Sequence, residues 1–278
     1  MKYSIALEFT RTGTTQQKLE AINTAGFEYI NIHSRICLTL IRETIKELEN
    51  WQNELLRTGL KIDWVHAPFE IPQIYSLDNE LYSLSIGAIK QVIDYAYELS
   101  ANTVVMHPYN PLFPEDLLSD KYVNQLVNGL TILSEYARKK NIYLALENLL
   151  EEPQSKKLLT ILFDRVSELY FCFDTGHAHI CKANHEYLPH FIKKIKALHI
   201  HDNDQKSDQH LLPGLGSINF QKLVEILLQN EYQGIIGFEC IQKNDNYQGG
   251  LELAKQIYSY FSKTVDKVTS ELGIVSIN

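Results

Sequence analysis

Residues 195–216, IKALHIHDNDQKSDQHLLPGLG, bring more imidazoles and carboxylates into one short span than any other part of the chain. His199 and His201 stand two apart at the end of an apolar run. In a strand, side chains two apart face the same way, so both rings can look into one cavity while Ile200 packs behind them. Asp202, Asp208 and His210 follow in the turn, and Pro213-Gly214-Leu215-Gly216 predicts a tight return loop, because Pro fixes φ and Gly adopts angles that other residues resist. Imidazoles and carboxylates are ligands of divalent cations and the acids and bases of proton transfer. A strand ending in them reads as an active site.

What would position these groups is a repeating unit of one strand and one helix. Apolar runs predict strands at residues 3–8, 27–32, 61–65, 103–106, 142–146, 169–173, 195–200 and 234–238. Helical spacing predicts helices at 14–25, 38–58, 79–100, 114–140, 155–167, 186–194, 219–228 and 250–267. Strands such as VVM and YFCF are apolar without alternation, as in a parallel sheet covered by helices. Eight such units in 278 residues predict a single-domain (β/α)8 TIM barrel over residues 1–278. A doubly wound open sheet fits less well, since no GxGxxG turn follows the first strand.

Composition narrows the function classes. With 45% hydrophobic and 22% charged residues the chain has the make-up of a water-soluble globular protein, and no apolar run approaches the roughly 20 residues of a membrane helix. No secretory leader is evident, so a cytoplasmic location without membrane attachment is expected. Cys37, Cys172, Cys181 and Cys240 form no CxxC pair and read as reduced core thiols. A net charge of −8 argues against a polyanionic partner, so nucleic acid is not expected.

In a barrel the C-terminal strand ends converge on one mouth. From the third strand to the eighth, those ends are His66, His107, Glu147, Asp174, His199 and Glu239. Six ionisable groups crowded together without a counter-charge would cost heavily in desolvation and repulsion. A divalent cation removes that cost, so a metal site is expected. Glu8 and His33, at the first two strand ends, can reach the same mouth but fit structural or solvent-facing roles equally well. His179 reads as packing; Trp64 and Tyr109 can wall the cavity, but aromatics beside a strand read first as core residues.

The stretches WVHAPFE, VVMHPYN, LALENL, FCFDTGHAHI, ALHIHDND, DQHLLPGLGSINF and GFECI resemble the xylose isomerase-like TIM barrels. That superfamily holds sugar and sugar-phosphate isomerases and epimerases, and DNA-repair enzymes of the endonuclease IV type. The resemblance implies one ion (Mn, Mg or Co) held by Glu147, Asp174, His199 and Glu239. It implies that Glu147 and Glu239 form the catalytic acid–base pair, moving a proton beside a carbonyl while the cation holds the enediolate charge. His66, His177 and His210 would then orient hydroxyls of a small-molecule sugar substrate.

The endonuclease branch implies a different census: three zinc ions on His66, His107, Glu147, Asp174, His177, His199, Asp208, His210 and Glu239. The chain departs from that branch at His201, where it has Asn, and at Gln209, where it has Arg. Residues 149–153 and 179–182 replace its glycine-rich stretches, and basic residues are sparse after the strands. The expected activity is therefore a divalent-metal-dependent isomerase or epimerase of a sugar-like polyhydroxy carbonyl compound. A zinc-dependent abasic-site endonuclease, or a related dehydratase or lyase, stands as the alternative. Helices 38–58 and 79–100 leave surface for a second copy of the chain.

Overall fold

Along β1 (Lys2–Ala6), Tyr3 and Ile5 join the large apolar cluster shared with the helices, while the Ser4 hydroxyl donates to Asp63 at 2.8 Å on the other side. This alternation separates an outer layer, between sheet and helices, from a barrel interior. The computed structural model describes residues 1–42, 45–69, 73–110, 114–150, 154–241 and 247–274. In chain order the remaining strands are β2 (Tyr29–Ile32), β3 (Lys61–His66), β4 (Thr103–Met106), β5 (Tyr143–Glu147), β6 (Leu169–Asp174), β7 (Ile195–His199) and β8 (Ile235–Phe238). All pair in parallel, in the order β7-β6-β5-β4-β3-β2-β1-β8. One parallel bridge, Ile200 to Phe238, closes the ring. Its bonds run from Ile200 N to Gly237 O (2.8 Å) and from Glu239 N to Ile200 O (3.1 Å). The fold is the expected single (β/α)8 barrel.

The interior is filled by Trp64, Val105, Ala145, Cys172 and Ala197, with alanines making room for the indole. Gly237 is required beside it, because a Cβ there would lie 2.6 Å from Leu198 O and 2.8 Å from Trp64 Nε1. Outside the strands run α1 (Thr15–Thr24), α2 (Ser34–Arg42), α3 (Ile45–Thr58), α4 (Asn79–Glu98), α5 (Asp120–Lys139), α6 (Gln154–Arg165), α7 (Thr175–Ile180), α8 (Asn184–Phe191), α9 (Phe220–Gln229) and α10 (Tyr247–Glu271). None of the described helices is long and apolar enough to cross a membrane.

The differences from expectation are local. The helix expected at 38–58 begins earlier as α2 and continues as α3, with residues 43–44 outside the described ones. The helix expected from residue 114 begins at Asp120, because Ser119 before it is extended (φ −69°, ψ 151°) and ends the preceding turn. Strand β1 stops at Ala6 and gives way to a 3-10 turn, Leu7–Phe9. The short α7 follows β6 with no loop, because the Asp174 side chain accepts from His177 N at 2.6 Å and caps it. No disulfide joins the four cysteines, and Cys37, Cys172 and Cys240 are buried, as expected of core thiols, while Cys181 is half-buried.

Candidate metal centre

Six of the site residues stand at or one residue past a strand end: His66, Glu147, Asp174 and His199 close β3, β5, β6 and β7, while His107 and Glu239 follow β4 and β8. His177 comes from α7, and Asp208 and His210 from the loop after β7. Glu147 is the hub. Its Oε2 lies 3.0 Å from His66 Nε2, 3.3 Å from His107 Nε2 and 3.4 Å from His199 Nδ1, and its Oε1 lies 3.3 Å from His177 Nδ1. Glu239 Oε2 approaches His199 Nδ1 at 3.1 Å from the other side, and its Oε1 meets His33 Nε2 at 3.1 Å. Asp208 Oδ2 sits 3.5 Å from His177 Nε2 and 3.0 Å from His210 Nε2. His201, whose two-residue spacing from His199 marked it, reaches Asp174 Oδ2 with Nε2 at 3.0 Å. The structure thus brings the six strand-end residues together with His177, His201, Asp208 and His210.

Backbone carbonyls fix three of the imidazoles. His66 Nδ1 meets Ala67 O at 2.6 Å, His177 Nδ1 meets Asn148 O at 2.9 Å, and His210 Nδ1 meets Glu239 O at 2.8 Å. A carbonyl can only accept, so each Nδ1 carries the proton, and Nε2 presents its lone pair to the centre when the ring is neutral. That tautomer is the one a metal-ligating histidine adopts. His199 differs. It is fully buried, and neither of its nitrogens makes an aligned hydrogen bond, although Glu147, Asp174 and Glu239 lie 3.1–3.7 Å away. Donor atoms this close without alignment converge on a shared point instead of on one another. His66, Glu147 and His199 form one compact group of donor atoms, and Asp174, His199 and Glu239 another. Glu147, Asp174 and His177 form a third, and His201, His210 and Glu239 a fourth; in each, the donor atoms lie within 4.8 Å of one another. Such donor sets fit a divalent cation.

Charge is matched only within the cluster. Burial works to raise Glu147, but His199 and His107 hold it well below the ordinary carboxylate range; His199 acts likewise on Glu239. Against the same effect of burial, His177 and His201 lower Asp174, and His177 and His210 lower Asp208. Burial lowers His66. It also works against the charged forms of His177, His199 and His210, yet the carboxylates win: the first two rise well above 6.5 and His210 rises to about 9. A cation would replace these imidazolium protons as the counter-charge.

Asp202 of the expected loop and His179 of α7 take structural roles. Asp202 is fully buried and accepts four backbone N–H groups, from Asn203 and Gly214 and Gly216 at 2.9 Å and from Ile218 at 3.0 Å. It therefore pins the return loop. His179 holds the same loop through Ser217 Oγ at 2.8 Å. Asn148 and Thr175, which the sequence did not single out, set the ligands. Asn148 pairs with both backbone groups of Asp174 (3.0 and 2.9 Å), and Thr175 Oγ1 bonds the backbone of His199 and His201 at 2.9–3.2 Å. Their polarity just past strand ends was visible, but partners 24–29 residues away were not. Trp64 is core as expected and also lines the floor, its ring 4.6 Å from that of His199. His33 belongs to the mouth through Glu239, while Glu8, in the turn after β1, has both carboxyl oxygens buried without a hydrogen-bond partner. Burial pushes Glu8 above its ordinary range, partly offset by His33.

A sequence profile described as xylose isomerase-like TIM barrel matches residues 19–257. An uncharacterized protein of Methanocaldococcus jannaschii is 31% identical over 226 residues, 74% of this chain and 72% of its own length. A probable endonuclease 4 of Mycoplasma capricolum is 27% identical over 212 residues, covering 67% and 71%. Among solved structures, a D-tagatose 3-epimerase-like protein superposes with a TM-score of 0.77 at 23% identity, over 98% of this chain and 100% of that one.

Proposed function

The chain belongs to the xylose isomerase-like TIM barrel family, and from that premise we propose that it is a divalent-metal-dependent isomerase or epimerase of a sugar-like polyhydroxy carbonyl compound. The observation that carries the proposal is that Glu147 and Glu239, from β5 and β8, approach the same nitrogen of His199 at 3.4 and 3.1 Å. Two carboxylates from separate strands thereby meet at one buried point, as the removal and return of a carbon-bound proton by two groups requires. Glu147, Asp174, His199 and Glu239 would hold the cation, which supplies an electrophile for the charge that develops on a carbonyl oxygen. Glu239 would take the proton on one face and Glu147 return it on the other, while His66 and His177 keep Glu147 in place. The similarity to a D-tagatose 3-epimerase-like protein supports this reading.

The test is solvent deuterium incorporation into a panel of ketoses by Mn-, Mg- or Co-loaded protein. The reading expects exchange at a carbon beside the carbonyl, and a panel without exchange refutes it. Phosphodiester hydrolysis is the second reading, favoured by the outer groups His66–His107–Glu147 and His177–Asp208–His210, which complete the nine-ligand set. It predicts two to three equivalents of zinc on protein purified without chelator and nicking of an abasic duplex at low salt, where backbone contacts are strongest. The isomerase reading predicts about one equivalent and no nicking.

A further inference from the structure

On the β1–β2 side of the mouth lie polar groups that neither the ligand set nor the acid–base pair uses. Glu8 Oε1 and Oε2 are both buried without a hydrogen-bond partner. So are Oδ1 and Nδ2 of Asn31, a fully buried residue in the middle of β2. Ala6 pairs with Asn31 in the parallel register, and the positions two further on are Glu8 and His33. Ser4 and Ala6 face inward on β1, so Asn31, in register with Ala6, faces the interior too, while Glu8, in the 3-10 turn after β1, and His33, just past β2, lie further toward the C-terminal mouth. The groups that act on the Glu8 charge are His33, Lys18 of α1 and Glu239.

A buried carboxyl and a buried amide left without partners are costly, by roughly the loss of a hydrogen bond for every unmet group. Each such group calls for a reason, and a ligand that completes it is one. The chemistry needed is specific: Glu8 offers acceptors, and Asn31 offers one acceptor and a donor pair. Among the described residues, every ion-pair partner of Glu147, Asp174, Asp208 and Glu239 is a histidine. The Lys18 ammonium donates to Thr10 O at 2.7 Å.

We infer that Glu8, with Asn31 beneath it, forms a hydrogen-bonding subsite for an uncharged hydroxyl or hydroxymethyl end of the substrate and rejects a phosphorylated one. The inference rests on the isomerase or epimerase reading, and it names the substrate class within that reading as free, not phosphorylated, polyhydroxy carbonyl compounds. Glu8 is a binding residue here and takes no part in proton transfer.

The experiment titrates Mn-loaded full-length protein with D-fructose, D-tagatose and L-ribulose, and with D-fructose 1-phosphate and 6-phosphate, following binding by calorimetry and by water-proton relaxation of the bound Mn. At least one free ketose should bind, and the phosphate esters should bind about ten-fold or more weakly. Glu8→Gln and Glu8→Leu should each weaken the free ketose by a similar factor while Mn stoichiometry stays that of wild type, and Glu8→Leu should unfold at a higher temperature without ligand. Esters that bind as well as free ketoses overturn the inference, as do variants with unchanged affinity or a wild type that binds no ketose. Solvent deuterium exchange separates the two claims. Exchange that survives Glu8→Gln with unchanged affinity sinks the subsite alone, whereas Glu8-dependent binding without exchange sinks the isomerase reading and leaves the subsite standing.

Discussion

His201 and His210 lie ring on ring, 4.0 Å between centroids and 10° from parallel. One follows β7 and bonds Asp174; the other comes from the return loop and bonds Asp208. The stack therefore ties the buried half of the site to its rim. It depends on Gly176, because a Cβ there would collide with the His201 ring. Gly176→Ala should lower divalent-metal affinity by about 10–100-fold, the usual cost of disturbing groups that orient ligands, while circular dichroism stays that of wild type. Unchanged affinity in a metal titration contradicts the account.

Glu147→Gln and Glu239→Gln should each reduce deuterium exchange by about 100-fold or more, since each removes an acid–base group. They should differ in metal content. Glu147 touches four imidazoles and Glu239 two, so the Glu147 variant should lose more bound metal on elemental analysis. Full exchange in either variant removes the proposed mechanism.

Metal-free protein should lose stability as pH rises from 6.5 to about 9. Burial notwithstanding, carboxylate partners hold His177 and His199 well above 6.5 and His210 at about 9. Groups raised in the folded state contribute fully below their unfolded value and lose that contribution as pH passes the folded one. A divalent ion should reverse the trend, because it needs neutral imidazoles. Thermal unfolding with and without chelator across this window is the check, and a stripped protein whose Tm climbs with pH fails it.

Asp63 lies near the opposite end of the interior, where burial raises its carboxyl to about 7 despite the Ser4 hydrogen bond. A carboxyl raised in this way costs stability that grows as pH climbs above 3.8 and is complete above about 7. Asp63→Asn keeps an acceptor for Ser4 and removes that cost. It should stabilise the protein by on the order of 2–4 kcal/mol above pH 7, with no gain near pH 4, measured by denaturant unfolding.

The barrel and the cluster at its mouth were legible because both are written in local pattern: one apolar run per strand, with His, Glu or Asp at the end of the third to the eighth. Less legible were features fixed by partners far away in the chain. Asp202 looks in sequence like another candidate ligand, yet its carboxylate is consumed by four amides up to 16 residues on. Asp174 serves at once as a candidate ligand and as the cap of α7, so the sequence read as a loop where a helix begins. Glu8 fitted a solvent-facing role equally well, because nothing in a single sequence says that both its oxygens are shut away from water.

The bridge between Ile200 and Phe238 joins the seventh strand to the eighth, and His199 and Glu239 stand immediately beside it. During synthesis the first of these leaves the ribosome forty residues before the second. No chain interrupted between them can assemble the ligand set, whatever its other strands have done. Closure of the ring and the approach of His199 to Glu239 therefore come in one step, once the eighth strand has docked.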